Sequence, residues 1–260
     1  MKYIVVSHAP FPWKIPFEHI EIGVGDYTPE QGLTSKVFSG NSLCAIDALG
    51  GARAMPALRS VLMTCAPNET VFASSYRMFM GKTVEPNWVN AHPEASDRLM
   101  VHPTEFETNY QNLIALELPS DVDFMICAPL NLGTPIISHY QASHHLDDLL
   151  HACGCAIRAG LIRAQTAAML LTSNVFIPYG YYASTANFRL DLTDRLLWCM
   201  EEYFFKHHIP REGYQRRSID FAFERIMGAC LYEKVTEPGI RVAASRPVLV
   251  TETGSYSRSQ

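Results

Sequence analysis

The chain lacks any run of the roughly 20 apolar residues that a bilayer-crossing helix needs. Its opening, MKYIVVSHAPFPW, carries one lysine and a short apolar stretch that prolines soon end. Neither a transmembrane segment nor the apolar core of a signal peptide is expected. Positive charge is in deficit: 21 Lys and Arg against 26 Asp and Glu give a formal net charge of −5. No global attraction to nucleic acid is therefore expected, although a local basic cleft can still hold phosphates. The phosphate cradles G-x-G-x-x-G and G-x-x-x-x-G-K-[ST] are missing, and so is the G-x-S-x-G nucleophile elbow. No pair of C-x-x-C motifs suggests a zinc ribbon. The seven cysteines, an odd number in apolar settings such as MICAP and LWCME, read as reduced thiols, so a cytoplasmic location is the expectation. Cys153 and Cys155 lie two apart on an expected helix and point about 200° away from each other, which excludes a disulfide between them. Internal repeats and low-complexity blocks are lacking as well.

What the chain does have is apolar content: 48% hydrophobic and 18% charged residues over 260 positions. That suffices for a substantial core in one large domain or two small ones. KYIVVS, HIEIGVG, ETVFASS, VDFMICAP and TSNVFIP read as strands. Residues 41 to 63 read as two helices interrupted at Gly50 and Gly51, with Pro56 near the second start. LDDLLHACGCAIRAG reads as a helix ending at Gly160. A long helix is expected from Leu192 with Asp191 as its N-cap, and another from Ser218 with Ile219, Phe223, Ile226 and Cys230 buried. Residues 80 to 107 read as one long loop. After Pro238 a surface strand and a frayed, Ser-rich end are expected. Strands and helices alternate, which argues an α/β fold with a mostly parallel sheet whose ligands bind beyond the carboxyl ends of the strands. SHAPFP, SSYR, APLNLG and NVFIP form that rim.

These segments carry a resemblance. SHAPFP, IEIGVG, SSYRMF, SHYQASHHLDDL, NVFI and QRRSIDFAFERI follow, in order and approximate spacing, the pattern of a bacterial capsule- and lipopolysaccharide-locus family of glycosyltransferase-like domains (domain of unknown function four-four-two-two), whose hallmark is H-Y-R-R-Y. The chain resembles a diverged member: Ser75 replaces the family histidine, Met78 its second arginine, and CAIDALG its E-L-T-x-x-Y-W helix. The resemblance implies a GT-A-like domain over residues 1–235, with a C-terminal strand and flexible tail over 236–260. It implies sugar transfer from a nucleotide-sugar, a UDP-sugar first, to a polysaccharide or glycolipid acceptor. A divalent cation, Mn²⁺ or Mg²⁺, and peripheral association with polysaccharide-assembly machinery follow from the same resemblance. His8, Pro10, Gly25, Tyr76, Arg77, His139, Tyr140, Asn174 and Arg225 are the donor-binding candidates. His144, His145, Asp147, Asp148 and Glu224 are the catalytic ones.

The chemistry sets a requirement of its own. A departing diphosphate needs positive charge, from a metal or from Arg, Lys and His. Arg77 follows a strand and offers a planar fork of donors. The only D-x-D, Asp121 and Asp123, precedes its strand and reads as a solvated turn. In ISHYQASHHLDDLL, helix-dipole stabilisation explains Asp147 and Asp148 whatever the function, but it leaves His139, Tyr140, His144 and His145 unexplained. For these, hydrogen bonding to substrate, metal ligation and structural roles stay open; the spacing matches no zinc motif. A histidine after a strand, such as His8, serves equally as a loop-fixing hydrogen bonder, and Asn174 equally shapes a turn. Asp220 and Glu224 share a helix face, where a helix-surface ion pair is the plain alternative. Trp13, Trp88 and Tyr181 are stacking candidates that serve equally as core. A non-catalytic nucleotide-sugar-binding or assembly subunit and a metal-dependent hydrolase built on the His/Asp cluster are the rival functions.

Overall fold

Strand β1 (Lys2–Ser7), β4 (Thr70–Ser75) and β7 (Phe124–Cys127) are buried almost without interruption because both faces of their sheet are covered. Tyr3 and Val5 of β1 point into one cluster with Phe72 and Met125, while Ile4 points into another with Val71 and Ala73. Phe124 and Ile126 face a third cluster, built by helices. The alternation is the period-two geometry of a strand. The computed structural model describes residues 1–24, 27–30, 32–34, 54–84, 98–178 and 181–252.

β1 pairs in parallel with β2 (Ile20–Gly23) and β4, and β2 with β3 (Leu33–Thr34). The register sets Tyr3 opposite Phe72, where the two rings stack at 5.4 Å. β5 (Met78–Val84) and β6 (Leu99–Val101) follow, and β7 leads to a two-stranded ribbon of β8 (Leu130–Asn131) and β9 (Val175–Phe176). β10 (Tyr182–Thr185) runs antiparallel to both β4 and β7. β11 (Val242–Val250) pairs in parallel with β6 and β7 and antiparallel to β5.

The sheet is thus mixed, and not mostly parallel as expected. Strands β4, β5, β11, β7 and β10 close into a ring of five through their pairings. The physical reason is local. Ser75 pairs with Met78 across Tyr76 and Arg77, and so short a link can only join antiparallel strands. The expected loop over residues 80 to 107 therefore begins as strand β5 and also holds β6 and the start of a helix at Pro103; residues 85–97 lie outside the described residues. β11 is no surface strand: Val248, Leu249 and Val250 are buried between their partners.

Helix α1 (Ala54–Met63) buries Ala57, Leu58, Val61 and Leu62 against β1, β2 and β4. Its start suits the reading of Pro56, while the expected helix before it lies outside the described residues. α2 (Pro103–Leu113) begins with proline at its first position, and His102 caps Thr104 N–H. α3 (Ile136–Gln141), α4 (Leu146–Arg158), α5 (Ala164–Thr172), α6 (Ala186–Lys206) and α7 (Ser218–Val235) form the helical layer over Phe124 and Ile126, on the same sheet face as α1, which packs against α6. α4 ends beside Gly160, whose φ of 66° is the left-handed stop expected there. α6 starts five residues before the expected Asp191 cap. Thr185 caps it, and Asp191 lies inside the helix, ion-paired with Arg195 one turn on. In α7 the expected stripe of Ile219, Phe223, Ile226 and Cys230 is buried.

Candidate functional site

The parallel pairing of β1 and β4 brings their carboxyl ends together, with Val6 opposite Ser75. The next residues, His8 and Tyr76, meet edge to face at 5.1 Å. Tyr76 lies nearly parallel to Phe11 at 6.3 Å and to Trp13 at 6.5 Å, and the Arg77 guanidinium stands 5.2 Å from its ring. The hairpin turn holds Tyr76 and Arg77 out at the rim: Tyr76 N–H donates to Val6 O and Arg77 O accepts from Val250 N–H. Arg77 is exposed. Pro10 is exposed on the same loop, and Gly25 and Trp88 lie outside the described residues.

The start of α7 faces this rim. Partial burial, then the charges of Arg77 and Arg217, lower the His8 pKa. Tyr181, entering β10, hydrogen-bonds Ser75 and feels the charges of Glu224 and Arg77; burial first, with Glu224 adding, pushes its hydroxyl up to about 12. Glu224 accepts from Arg225 Nη1 at 2.7 Å, and Arg225, only 6% exposed, lies 4.8 Å from the Phe176 ring. Arg217 is exposed, 5.2 Å from the Phe221 ring and 3.9 Å from Asp220. Cation, aromatic and carboxylate thus meet between two strand ends and one helix start.

The His/Asp stretch divides. His144 clusters with Phe221 at 4.4 Å and Tyr214 at 5.6 Å, both nearly parallel to its ring. Desolvation, then the Arg225 charge, pulls its pKa down to about 4; Gln215 opposes, and His139 and Arg217 add to the fall. Arg217 therefore acts electrostatically on both His8 and His144, linking the strand rim to the histidine cluster. Tyr140 is fully buried, and its hydroxyl donates to Ser218 O at 2.7 Å. It ties α3 to the start of α7, so its hydroxyl does not reach a ligand as expected. His145 occupies the N-cap of α4, but its side chain caps nothing, and Asp147 is exposed in the first turn. Asp148 is 3% exposed and does not orient a histidine of its stretch: its Oδ1 accepts from Tyr203 at 3.0 Å and from Arg211 at 3.3 Å. Asn174 is exposed in the turn before β9, its carbonyl accepting from Leu132 N–H. Asp123 pairs with Arg241, which holds its carboxyl down to about 2, in the turn before β7 where a solvated role was expected.

Sequence reasoning missed Tyr203, His208, Arg211 and Gln215, which with Asp148 line a cavity of about 120 Å³. Residues 207 to 211 carry no motif, and the helix dipole already accounted for Asp148. Among the described residues no group of three or more His, Cys, Asp or Glu side chains could hold a metal ion.

No model of a known protein family matches the chain, and no curated protein does. Among solved structures, the fold is similar to that of the WbbM bifunctional glycosyltransferase in its apo form, with a TM-score of 0.75 at 11% sequence identity. The match covers 100% of this chain and 47% of that one, so this chain spans about half the length of its structural relative. The chain therefore has a glycosyltransferase-like fold.

Proposed function

We propose that the chain is a GT-A-like glycosyltransferase domain that moves a sugar from a nucleotide-sugar, a UDP-sugar first, to a bacterial polysaccharide or glycolipid acceptor. One observation carries the reading: Arg77 and Arg217 both lower the His8 pKa at the strand ends of a glycosyltransferase-like fold. In this reading the Phe11, Tyr76 and Trp13 rings take the base, and the two arginines neutralise the diphosphate. The bond from the anomeric carbon to the diphosphate breaks as a glycosidic bond to the acceptor oxygen forms. Glu224 takes the hydroxyl proton, and the nucleoside diphosphate leaves with the electron pair. The order of the sequence segments that resemble the polysaccharide-locus family supports the choice of donor.

A non-catalytic nucleotide-sugar-binding subunit is the second reading, favoured by Ser75 and Met78 standing where that family has histidine and arginine. A thermal-shift panel of UDP-, GDP- and CDP-sugars, with and without Mn²⁺, followed by assay of nucleoside diphosphate release onto a saccharide acceptor, separates the two. A ligand that binds only the folded state raises its melting temperature. Stabilisation with release supports transfer, stabilisation without release supports the second reading, and no stabilisation by any donor defeats both.

A further inference from the structure

The cavity beside α4 and α6 has a wall that the donor reading leaves unused. Asp148 sits at its base, only 3% exposed, and both of its side-chain hydrogen bonds fall on Oδ1, from Tyr203 and Arg211. Its Oδ2 is left to the cavity it lines. On the same wall Arg211 Nε is buried without a hydrogen-bond partner among the described residues, while the Gln215 side chain is held by Ser143 O and His144. Buried polar atoms are normally satisfied, and an unpartnered guanidinium nitrogen beside a carboxylate with one oxygen unused points to a ligand that satisfies both. Ile209 and Pro210 supply an apolar lip to the same opening.

The charge balance selects the ligand class. A phosphate or carboxylate meets the Asp148 anion, and a cation meets Arg211. An apolar group strands the orphaned donors and acceptors. A neutral polyol both gives and takes hydrogen bonds, and a pyranose adds an apolar C–H face for the Ile209 and Pro210 lip. The volume of about 120 Å³, roughly that of four waters in the liquid, fits the hydroxyl edge of one ring inserted from the open side. Gln215 connects this cavity to the candidate site: its amide donates to Ser143 O at 2.8 Å, and its side chain acts on His144.

We propose that the cavity is a saccharide subsite that binds the hydroxyl edge of a neutral hexose ring through Asp148 and Arg211. Resting on the transfer reading above, it holds an acceptor ring remote from the bond being formed.

The test is saturation-transfer NMR and titration of the full chain with the methyl glycosides of glucose, galactose and mannose, with UDP as a separate ligand. The wild type should bind at least one glycoside saturably at millimolar concentration, undisturbed by UDP. Asp148→Asn, which removes the charge, and Ile209→Trp, which fills the mouth, should each weaken binding about tenfold or more. Ile209 is 48% exposed, so its variant keeps the test open if the Asp148 variant fails to fold. Failure of all three glycosides to bind, equal binding by folded Ile209→Trp, or competitive displacement by UDP would each overturn the subsite. Glycoside binding at this cavity without a response to any nucleotide-sugar would uphold the subsite while overturning the donor reading.

Discussion

The Tyr203 hydroxyl donates a 3.0 Å hydrogen bond to Oδ1 of Asp148, 55 residues earlier in the chain. The same oxygen takes Arg211, whose side chain is 19% exposed. Asp148→Ala leaves a buried phenol and a largely buried guanidinium without their acceptor and should cost about 2 kcal/mol, lowering Tm by about 4–8 °C. Asp147→Ala, exposed one position away, should stay within about 0.5 kcal/mol. Paired thermal melts check the contrast, and equal effects would dissolve the distinction between the two aspartates.

His144 gives stability a pH dependence. Its pKa falls from the ordinary 6.5 to about 4 in the folded protein, so between those values the unfolded chain binds a proton that the folded chain refuses. Stability should therefore fall as pH drops from about 6.5 towards 4, and this contribution should level off below that. His8, His207 and His208 are shifted in the same direction, so His144→Phe should flatten the slope without abolishing it. Denaturant unfolding across this window, with a direct NMR titration of the imidazole, measures both quantities. An imidazole that titrates at its ordinary value would remove the basis for the slope.

Gly228 lets α7 lie directly on the chain that follows β9: a Cβ there would stand 2.5 Å from Ile177 O. Gly228→Ala gains about 1 kcal/mol of helix propensity but forces a shift costing about 1–3 kcal/mol. Net destabilisation is expected in unfolding experiments. The shift should also disturb Arg225, three residues back on α7 and 4.8 Å from the Phe176 ring. A more stable variant would show that this close approach is not needed.

The legible parts of the fold were those written in short stretches. KYIVVS and FMIC are buried on both faces, and the stripe from Ile219 to Cys230 repeats at helical spacing. The sheet's reversals were not legible. β5 reads as loop because only pairing with β11 makes it a strand, and β10 is four residues long. Arg77 and His8 were legible as rim residues because each follows a recognisable strand. Tyr140 misled because its partner, Ser218, lies 78 residues away. The Asp148 cavity was hidden for the same reason: Arg211 reaches Asp148 from 63 residues on, and no local pattern announces such a contact.

In the proposed function Arg77 and Arg217 hold the diphosphate of a nucleotide-sugar. The most direct measurement is calorimetric titration of the tightest donor from the thermal-shift panel into the wild type, Arg77→Ala and Arg217→Ala. Each arginine-to-phosphate interaction is a charge-assisted hydrogen bond, so each exposed-site substitution should weaken donor binding about tenfold or more while leaving Tm within about 2 °C. Donor affinity that is the same in all three folded proteins would contradict the account.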